Sequence, residues 1–298
     1  MCICNNRDKY ILSQLEYKNE IYNSLRCKTC GFIQTKPSHE IVEDIYETGH
    51  YTVKSYFLIP FLINLLDYIY IYIIFIKNKV LKSNKVLDFG CGKGYFLLFL
   101  KKLGYEKLTG VETSPSRASF ANRLTKVPIS SQIYNGGKIM ESTFDCITLL
   151  HVLEHIENPF SFLDIIIDQA LNKNGILFIE VPNINSLASK IGKNTWAHFT
   201  PHFHINHFTP LSLKNYCLER GFKYKFESAF SFYNSSMGMT SAFLKLVGYK
   251  GVLFEDMKSK KIWILISFIL LLPFSVLFEI FFSFFKRGSV IKFIIMKS

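Results

Sequence analysis

Two carboxylates and three closely spaced glycines are the first residues in this chain whose types and spacing could do chemistry. Asp88, Gly90, Gly92 and Gly94 stand in the stretch KVLDFGCGKG, and Glu112 follows 20 residues after Gly92. Glycines at this spacing let the backbone pass close to a ligand, and a helix that begins after them offers free amide groups. The pattern therefore favours a nucleotide-like ligand, and a purely structural glycine turn is the alternative.

Histidines between residues 151 and 207 form a second group. His155, His202, His204 and His207 could each take a proton from an acceptor hydroxyl, because a neutral imidazole is a base near pH 7. Each of them could instead hydrogen-bond a loop or cap a strand. The prediction depends on the cluster, and it names His155, His204 and His207 as the catalytic residues.

Cysteines near the start of the chain form a third group. The chain has seven cysteines, an odd number, and no secretory signal is visible, so we expect reduced thiols and a cytoplasmic location. Cys27 and Cys30 have the spacing of a zinc knuckle turn, whereas Cys2 and Cys4 are closer together than is usual. A structural zinc ion bound by these four cysteines is therefore one prediction, and free thiols in a loosely ordered leader are the alternative.

The elements that must position these groups follow from the hydrophobic pattern. Residues 85–104 predict a short buried strand, the glycine-rich turn and an amphipathic helix, and residues 107–112 predict a second strand. Residues 144–150 and 176–181 predict two more strands, with a helix that ends near residue 172 between them. Thr209 and Pro210 predict the start of another helix and Gly221 its end. Strands that alternate with helices indicate a parallel sheet.

Taken together, these motifs resemble class I S-adenosylmethionine-dependent methyltransferases. The stretch from Asp88 to Gly94 is similar to motif I of that family, and HVLEHIENP is similar to the segment that leaves its fourth strand. HFHINHFTPLSLKNYCLERGF is similar to another family segment. The resemblance covers roughly residues 80–235, and many relatives also carry a cysteine ribbon in front. It implies an α/β, Rossmann-like sheet of seven strands with an antiparallel last strand.

The resemblance also implies a division of the chain. Residues 223–231 are the expected sixth strand and residues 289–297 the seventh. The segments that we expect are a zinc-ribbon-like region (1–40), an apolar helical cap (41–82), the cofactor-binding core (83–235), a hydrophobic helical insert (236–288) and the final strand (289–298).

The cofactor that the resemblance implies is S-adenosylmethionine. Its amino group and sulfonium are cationic, so a carboxylate at the turn is favourable, and Glu112 would accept both ribose hydroxyls. We expect the two carboxylates to face each other across the glycine turn. The cofactor-binding residues that the resemblance implies are Asp88, Gly90, Cys91, Gly92, Gly94, Glu112, Thr113, Leu150 and His151.

Some hydroxyl-methylating relatives hold a divalent metal with the pattern E-x-x-E-H and a further histidine. This chain has His151 at the first position of that pattern, followed by Glu154 and His155. A metal-assisted O-methyltransferase is therefore an alternative, although the first ligand type has changed.

Two apolar segments raise the question of membrane contact. Residues 262–278 contain no charge, and Pro273 and Glu279 predict two shorter helices, each too short to span about 30 Å of hydrocarbon. Residues 56–77 are rich in aromatic side chains and are followed by lysines, as in helices that lie on a lipid surface. The alternatives are an internal or dimer-forming cap and a true membrane span.

Charge narrows the choice of acceptor. The chain of 298 residues has 35 Lys and Arg against 23 Asp and Glu, a net charge of +12. The basic residues are scattered and rich in lysine, which disfavours a nucleic-acid acceptor. We therefore predict a methyltransferase that acts at the cytoplasmic face of the inner membrane on a small or lipid-linked acceptor, such as a sugar or a quinone-like compound. A homodimer and a non-catalytic scaffold of a membrane assembly are left open.

Overall fold

The computed structural model describes residues 10–17, 20–37, 58–131, 142–251, 253–259 and 261–297. The strands are β1 (Tyr10–Tyr17), β2 (Glu20–Cys27), β3 (Ile33–Pro37), β4 (Val86–Phe89), β5 (Leu108–Glu112), β6 (Ile129–Ser131), β7 (Phe144–Leu150), β8 (Leu171–Pro182), β9 (Asn206–His207), β10 (Lys223–Ser228) and β11 (Val290–Met296). The α-helices are α1 (Leu58–Lys77), α2 (Tyr95–Lys102), α3 (Pro115–Thr125), α4 (Pro159–Ile165), α5 (Leu187–Gly192), α6 (Pro210–Arg220), α7 (Phe232–Leu246), α8 (Leu253–Lys258) and α9 (Ile262–Ser283).

Seven strands form the central sheet, in the order β10-β11-β8-β7-β4-β5-β6. Strand β4 is parallel to both β5 and β7, whereas β11 is antiparallel to β8 and β10. The predicted seven-stranded sheet with an antiparallel last strand is therefore confirmed. Because the carboxyl ends of the parallel strands meet at one edge, the residues that follow β4, β5 and β7 are brought together there.

Alternation along the strands sends side chains to two separate cores. Leu87 and Ile147 point toward α4, α6 and the N-terminal strands, while Val86 and Cys146 point toward α1 and α2. Both cores are buried, as expected for a parallel sheet that is covered on two faces. Helices α1 and α2 pack together in the second of these cores. Because α2 begins directly after the glycine turn, this packing holds α1 close to the turn.

The N-terminal strands form a second, antiparallel sheet in the order β1-β2-β3-β9. Cys27 ends β2, and Cys30 lies in the tight turn that follows, closed by a 2.9 Å hydrogen bond from the Gly31 amide to the Cys27 carbonyl. Cys27 and Cys30 are buried, and Cys2 and Cys4 lie outside the described residues. The zinc site therefore stays a prediction.

The predicted helix after the histidine-rich segment is confirmed. Thr209 is the N-cap of α6 and forms a capping box with Ser212, Pro210 occupies the first turn, and Gly221 ends the helix with a left-handed φ of 70°. This helix fixes the end of the segment that carries His204 and His207.

The predicted break at Pro273 is wrong, because α9 is one continuous helix of 22 residues. Proline removes only one helical hydrogen bond here, and contacts beyond the helix stabilise its second half. Ser275 lies 2.8 Å from Thr240 of α7, and Glu279 accepts hydrogen bonds from the amide and hydroxyl of Ser289. At about 1.5 Å per residue, α9 is roughly 33 Å long.

Helix α9 is therefore long and apolar enough to cross a membrane, and it is the one described helix that meets both criteria. It packs along α7, which leaves the sheet after β10, and it leads back to β11. Of its 22 residues, Ile264, Ser275 and Glu279 are buried. The segment between the last two strands is thus a helical hairpin with one widely exposed apolar face.

Candidate active site

A cavity of about 360 Å³ opens at the carboxyl edge of the central sheet. The glycine turn, the end of β7, and residues of β8, α1 and α7 form its walls. The described residues that line it are Asn64, Asp67, Tyr68, Ile71, Asp88, Gly90, Cys91, Gly92, Lys93, Tyr95, Phe96, Arg117, Leu150, His151, Glu180 and Asn234.

The glycine turn has the backbone that its sequence predicted. Gly90, Gly92 and Gly94 all have positive φ, between 57° and 78°. A Cβ at Gly90 would lie 2.5 Å from a methyl group of Val152, and a Cβ at Gly94 would lie 3.0 Å or less from Thr125 and Ala121 of α3. A side chain at Gly90 would therefore clash with Val152, and a side chain at Gly94 would push α2 away from α3.

Asp88 is the next-to-last residue of β4 and lines the cavity. Thr148 on the neighbouring strand donates a 2.7 Å hydrogen bond to its Oδ1. Burial, with a smaller contribution from the charge of Glu112, raises the pKa of Asp88 to about 7. A buried carboxylate in this state favours a cationic ligand, because the ligand would supply the opposite charge that the fold does not.

Glu112 lies on the other side of the turn, and its oxygens already hold the loop together. Oε2 accepts a 2.8 Å hydrogen bond from the Gly92 amide, and Oε1 accepts one of 3.0 Å from the Ser114 amide. Arg117 lines the cavity beside this carboxylate, with its Nη2 3.4 Å from Oε2, and Thr113 lies 3.4 Å from Oε1. Arg117 therefore occupies the space next to Gly92 and Glu112.

Among the described residues that line the cavity, His151 is the one histidine. It follows β7 with a left-handed φ of 56°, which is uncommon for a residue other than glycine. Its Nδ1 lies 3.0 Å from Glu154, and its Nε2 lies 3.1 Å from Glu180 and 3.0 Å from the Asn234 amide nitrogen. Burial alone would lower the pKa of His151, but the hydrogen bonds and charges of the two carboxylates raise it to about 10.

Further charged side chains extend this network beneath the cavity. Glu180 also pairs with the buried Lys292 of β11 at 2.7 Å, and Lys292 and His151 hold the pKa of this carboxyl at about 2 although burial opposes ionisation. Asp67 of α1 accepts hydrogen bonds from the amides of Phe232 and Tyr233 at the start of α7. Helices α1 and α7 are thereby joined over the cavity.

The predicted catalytic histidines lie apart from the lining of this cavity. His155 donates from Nδ1 to the Phe203 carbonyl at 2.9 Å, and His204 donates from Nδ1 to the His198 carbonyl at 2.8 Å. The Nδ1 atom of each ring is thus held by a backbone carbonyl, which fixes the orientation of the ring.

Glu154 completes a cluster with these two rings. One ligand atom of Glu154, His155 and His204 each lies within 4.8 Å of the others. Glu154 is fully buried, and its Oε2 has no hydrogen-bond partner among the described residues. The structure therefore brings together a carboxylate and two imidazoles, as in many metal sites.

His207 is placed differently from the other predicted catalytic residues. It lies in β9, stacks on Phe199 with 5.0 Å between ring centroids, and is buried. Burial lowers its pKa to about 4, so its ring is neutral at pH 7.

Several residues of the cavity could not be assigned from their local sequence. Asn64 and Asp67 had one signal, since they are polar residues inside an apolar stretch. Glu180 and Lys292 had none, because the two strands that carry them are far apart in the chain and meet only through the antiparallel insertion of β11.

Comparison with known proteins agrees with this fold. Residues 73–225, just over half of the chain, match a family model described as a methyltransferase domain. The chain therefore belongs to the S-adenosylmethionine-dependent methyltransferases.

Individual relatives are distant. A tRNA U34 carboxymethyltransferase of Sulfurimonas denitrificans is 29% identical over 196 residues, which are 62% of this chain and 62% of that protein. A mitochondrial ubiquinone biosynthesis O-methyltransferase of Schizosaccharomyces pombe is 28% identical over 125 residues, 39% of this chain and 44% of that protein. The chain thus spans less than two thirds of the length of these curated relatives.

Solved structures support the fold alone. The structure of coclaurine N-methyltransferase bound to N-methylheliamine and SAH has a TM-score of 0.50 and 15% identity, and the match covers 83% of this chain and 75% of that one. A plantazolicin methyltransferase in complex with a pentazolic desmethylPZN analog and SAH also has a TM-score of 0.50, with 18% identity over 81% of this chain and 86% of that one.

Proposed function

We propose that this protein transfers the methyl group of S-adenosylmethionine to an acidic hydroxyl of a quinone-like or other lipid-linked acceptor at the cytoplasmic face of a membrane. The observation that carries the proposal concerns α1 and α7, the two helices that close the cavity. Both adjoin exposed apolar surface, which lies on α1 itself and on α9, the helix that packs along α7. An apolar acceptor could then pass from the lipid to the cavity without crossing water.

Helix α1 contributes the first part of that surface. Its inner face packs on the sheet and lines the cavity, for example through Asp67 and Tyr68. Its outer face exposes six large aliphatic side chains, Leu62, Ile63, Leu66, Ile69, Ile73 and Ile76. A helix that is apolar on both faces is typical of one that lies between protein and lipid.

Helix α9 contributes the second part through α7. Asn234 in the first turn of α7 lines the cavity, and α9 packs along α7. The apolar side chains that α9 and the residues after it expose include Trp263, Ile269, Phe274, Phe281, Phe284 and Phe285. Lys261 precedes the helix and Lys286 and Arg287 follow it, so both of its ends carry the cations that favour anionic headgroups.

The residues of the cavity suit an acidic hydroxyl. When bound, S-adenosylmethionine supplies an electrophilic methyl group on a sulfonium centre. Asp88 would balance the cationic groups of this cofactor, and Glu112 would accept from its ribose. With a pKa of about 10, His151 is protonated at neutral pH and cannot act as the base, and both of its ring nitrogens already face Glu154 and Glu180. An acceptor that ionises on its own, such as a phenol-like hydroxyl, therefore suits this cavity better than a sugar hydroxyl, which needs a base.

The relatives add support without deciding the acceptor. Ubiquinone biosynthesis O-methyltransferases are among them, from Schizosaccharomyces pombe and from Dictyostelium discoideum. A tRNA-modifying enzyme is among them as well, and it keeps RNA as the competing acceptor. The roles of His155, His204 and His207 as bases stay predictions, because none of the three lines the described cavity.

Transfer of labelled methyl groups tests the proposal. The purified full chain is incubated with methyl-tritiated S-adenosylmethionine and either a lipid extract or an aqueous extract of host cells that lack the gene, with the Asp88→Asn variant as control. We expect label in a lipid-soluble compound only with the lipid extract. Label in RNA or in water-soluble sugars would contradict the proposal, and binding of no cofactor at all would favour the scaffold alternative.

A second candidate is that a divalent metal assists the reaction. The cluster of Glu154, His155 and His204 carries this alternative, because its buried Oε2 and its two imidazoles fit a site for Zn²⁺, Fe²⁺ or Mn²⁺ better than one for Mg²⁺. Elemental analysis of the purified chain tests it, with the His204→Asn variant compared with the Cys27→Ser variant. Metal that is lost only with Cys27 belongs to the N-terminal cysteines, and the absence of any metal would contradict both sites.

A further inference from the structure

A second cavity, of about 490 Å³, lies where the turn after β2, α5, the start of α6 and the residues after α9 meet. Four cations line it: Arg26, Lys190, Lys286 and Arg287. Among the described residues that line it there is no aspartate or glutamate. No carboxylate of the described residues lies within 4.0 Å of the charged group of any of these four cations.

Some other surface cations of this protein have acidic partners. Lys36 pairs with Glu157 at 3.4 Å, and Arg220 pairs with Asp164 at 2.9 Å. Lys261 lies 2.6 Å from Asp256. Four cations that converge on one concave surface without such partners therefore form a focused positive potential, which attracts an anion of more than one charge.

The rest of the cavity wall is apolar where it approaches α9. Ile184, Leu211 and Phe285 are lining residues, and Leu211 and Phe285 are 43% and 62% exposed. Phe284, next to Phe285, is 79% exposed. The cations thus surround an opening whose rim continues into the exposed apolar face of α9, as headgroup and acyl chain adjoin in a phospholipid.

We infer that this cavity binds the phosphate headgroup of an anionic phospholipid, with the acyl chains lying against the end of α9. The inference rests on the membrane contact proposed above and adds a selective site to it. Lipid fits the observations better than RNA does, because the apolar rim of the cavity is continuous with the exposed apolar face of α9. The Arg26, Lys190 and Arg287 side chains are all exposed and are not part of the cofactor cavity.

Co-sedimentation of the full chain with vesicles tests the inference. Vesicles of phosphatidylcholine alone are compared with vesicles of phosphatidylcholine and phosphatidylglycerol. The variant Arg26→Gln/Lys190→Gln/Arg287→Gln should lose roughly 100-fold in binding to the anionic vesicles, since each basic residue near such a surface contributes about 1 kcal/mol. It should bind neutral vesicles as the unchanged protein does.

A matched variant controls for net charge. Lys85, Lys107 and Lys173 are exposed at the opposite edge of the sheet, and their triple replacement by glutamine removes the same charge. This variant should keep its preference for anionic vesicles. Equal losses in both variants would overturn the inference, because they would mean that net charge alone attracts the lipid.

Two further outcomes separate this inference from the proposed function. If the unchanged protein binds no vesicle, membrane contact itself fails. If it binds both kinds of vesicle equally, membrane contact stands and the headgroup site fails. Competition with tRNA at equal phosphate concentration is the last arm, and displacement of the protein from anionic vesicles by tRNA would assign the cavity to RNA.

Discussion

His151 and Glu180 form a partly buried, hydrogen-bonded ion pair, with 3.1 Å between Nε2 and Oε1. Glu154 holds the other nitrogen of the same ring at 3.0 Å, and Lys292 holds the other oxygen of Glu180 at 2.7 Å. Two anions and two cations thus alternate in one row. The row fixes the charge on the ring that faces the candidate cofactor cavity.

The His151 ion pair predicts a specific pH dependence of stability. The folded pKa of His151, about 10, is above its ordinary value of 6.5, so its contribution is fully present below pH 6.5 and is lost as pH rises through 10. Replacing His151 by leucine should lower the free energy of unfolding by about 3 to 5 kcal/mol at neutral pH, because it leaves two buried carboxylates without their partner. Urea unfolding at a series of pH values measures this.

The expected sign can be checked with a milder variant. His151→Gln keeps a hydrogen-bond donor but cannot titrate, so it should remove the decline in stability between pH 6.5 and about 10. An unchanged slope in this variant would mean that another group is responsible.

Asp88 should affect cofactor binding and stability in opposite directions. Its raised pKa means that folding favours the protonated form, so stability due to this group falls as pH rises from 3.8 to about 7. We expect Asp88→Asn to leave the apo protein at least as stable at pH 7.5 and to weaken S-adenosylmethionine binding at least tenfold, about 1.4 kcal/mol. Calorimetric titration and thermal unfolding of the same samples measure both effects. A large loss of stability would contradict this account of Asp88.

Arg117 should compete with the cofactor for Glu112. Its guanidinium lies 3.4 Å from Glu112 and 2.7 Å from the position of a Cβ on Gly92. Arg117→Gln should therefore strengthen S-adenosylmethionine binding by a few fold, in keeping with a partly exposed ion pair worth up to about 1 kcal/mol. Arg123→Gln, on the exposed side of the same helix, is the matched control. Weaker binding in the Arg117 variant would show that the arginine contacts the cofactor directly.

Asp67 should stabilise the contact between α1 and α7. Its carboxylate accepts from the amides of Phe232 and Tyr233 and from the hydroxyl of Ser231. Asp67→Ala should cost roughly 2 to 3 kcal/mol, because it leaves buried donors unpaired. Hydrogen exchange at the first turn of α7 should speed up in this variant and less so in Asp67→Asn, which keeps one acceptor oxygen. Equal exchange in all three proteins would contradict the role.

The exposed face of α9 should determine attachment to lipid. Phe281→Ser/Phe284→Ser changes two side chains that are 56% and 79% exposed, so thermal stability should hardly change. Binding to neutral vesicles should fall at least tenfold, since a fully buried phenyl ring gains about 1.5 to 3 kcal/mol. Leu218→Ser on α6, which is 60% exposed, removes a comparable apolar group from another surface and should have no effect.

The sequence correctly predicted the elements whose structure depends on residues close together in the chain. The glycine turn, the strand from Phe144 to Leu150 and the capped helix after Thr209 depend on neighbouring residues, and the structure confirms them. The break at Pro273 was wrong because the hydrogen bonds of Ser275 and Glu279 to other segments offset the local cost of proline. No local pattern could report those contacts.

The chemistry of the histidines was harder to predict for a similar reason. His151 was assigned to the cofactor because of its place after β7, but its charge depends on Glu180 and indirectly on Lys292, which lie on other strands. The grouping of His155 with His204 depends on a loop whose carbonyls orient both rings. A sequence gives the residue types in such a site, whereas tertiary contacts set their protonation.

Strand β11 enters the sheet between β8 and β10, so the floor of the cavity is incomplete without it. Helix α9 leads directly into β11, so the segment with the exposed apolar face also brings Lys292 to its place beneath the cavity. Displacement of α9 from α7 would therefore disturb the partner of Glu180 as well as the apolar surface.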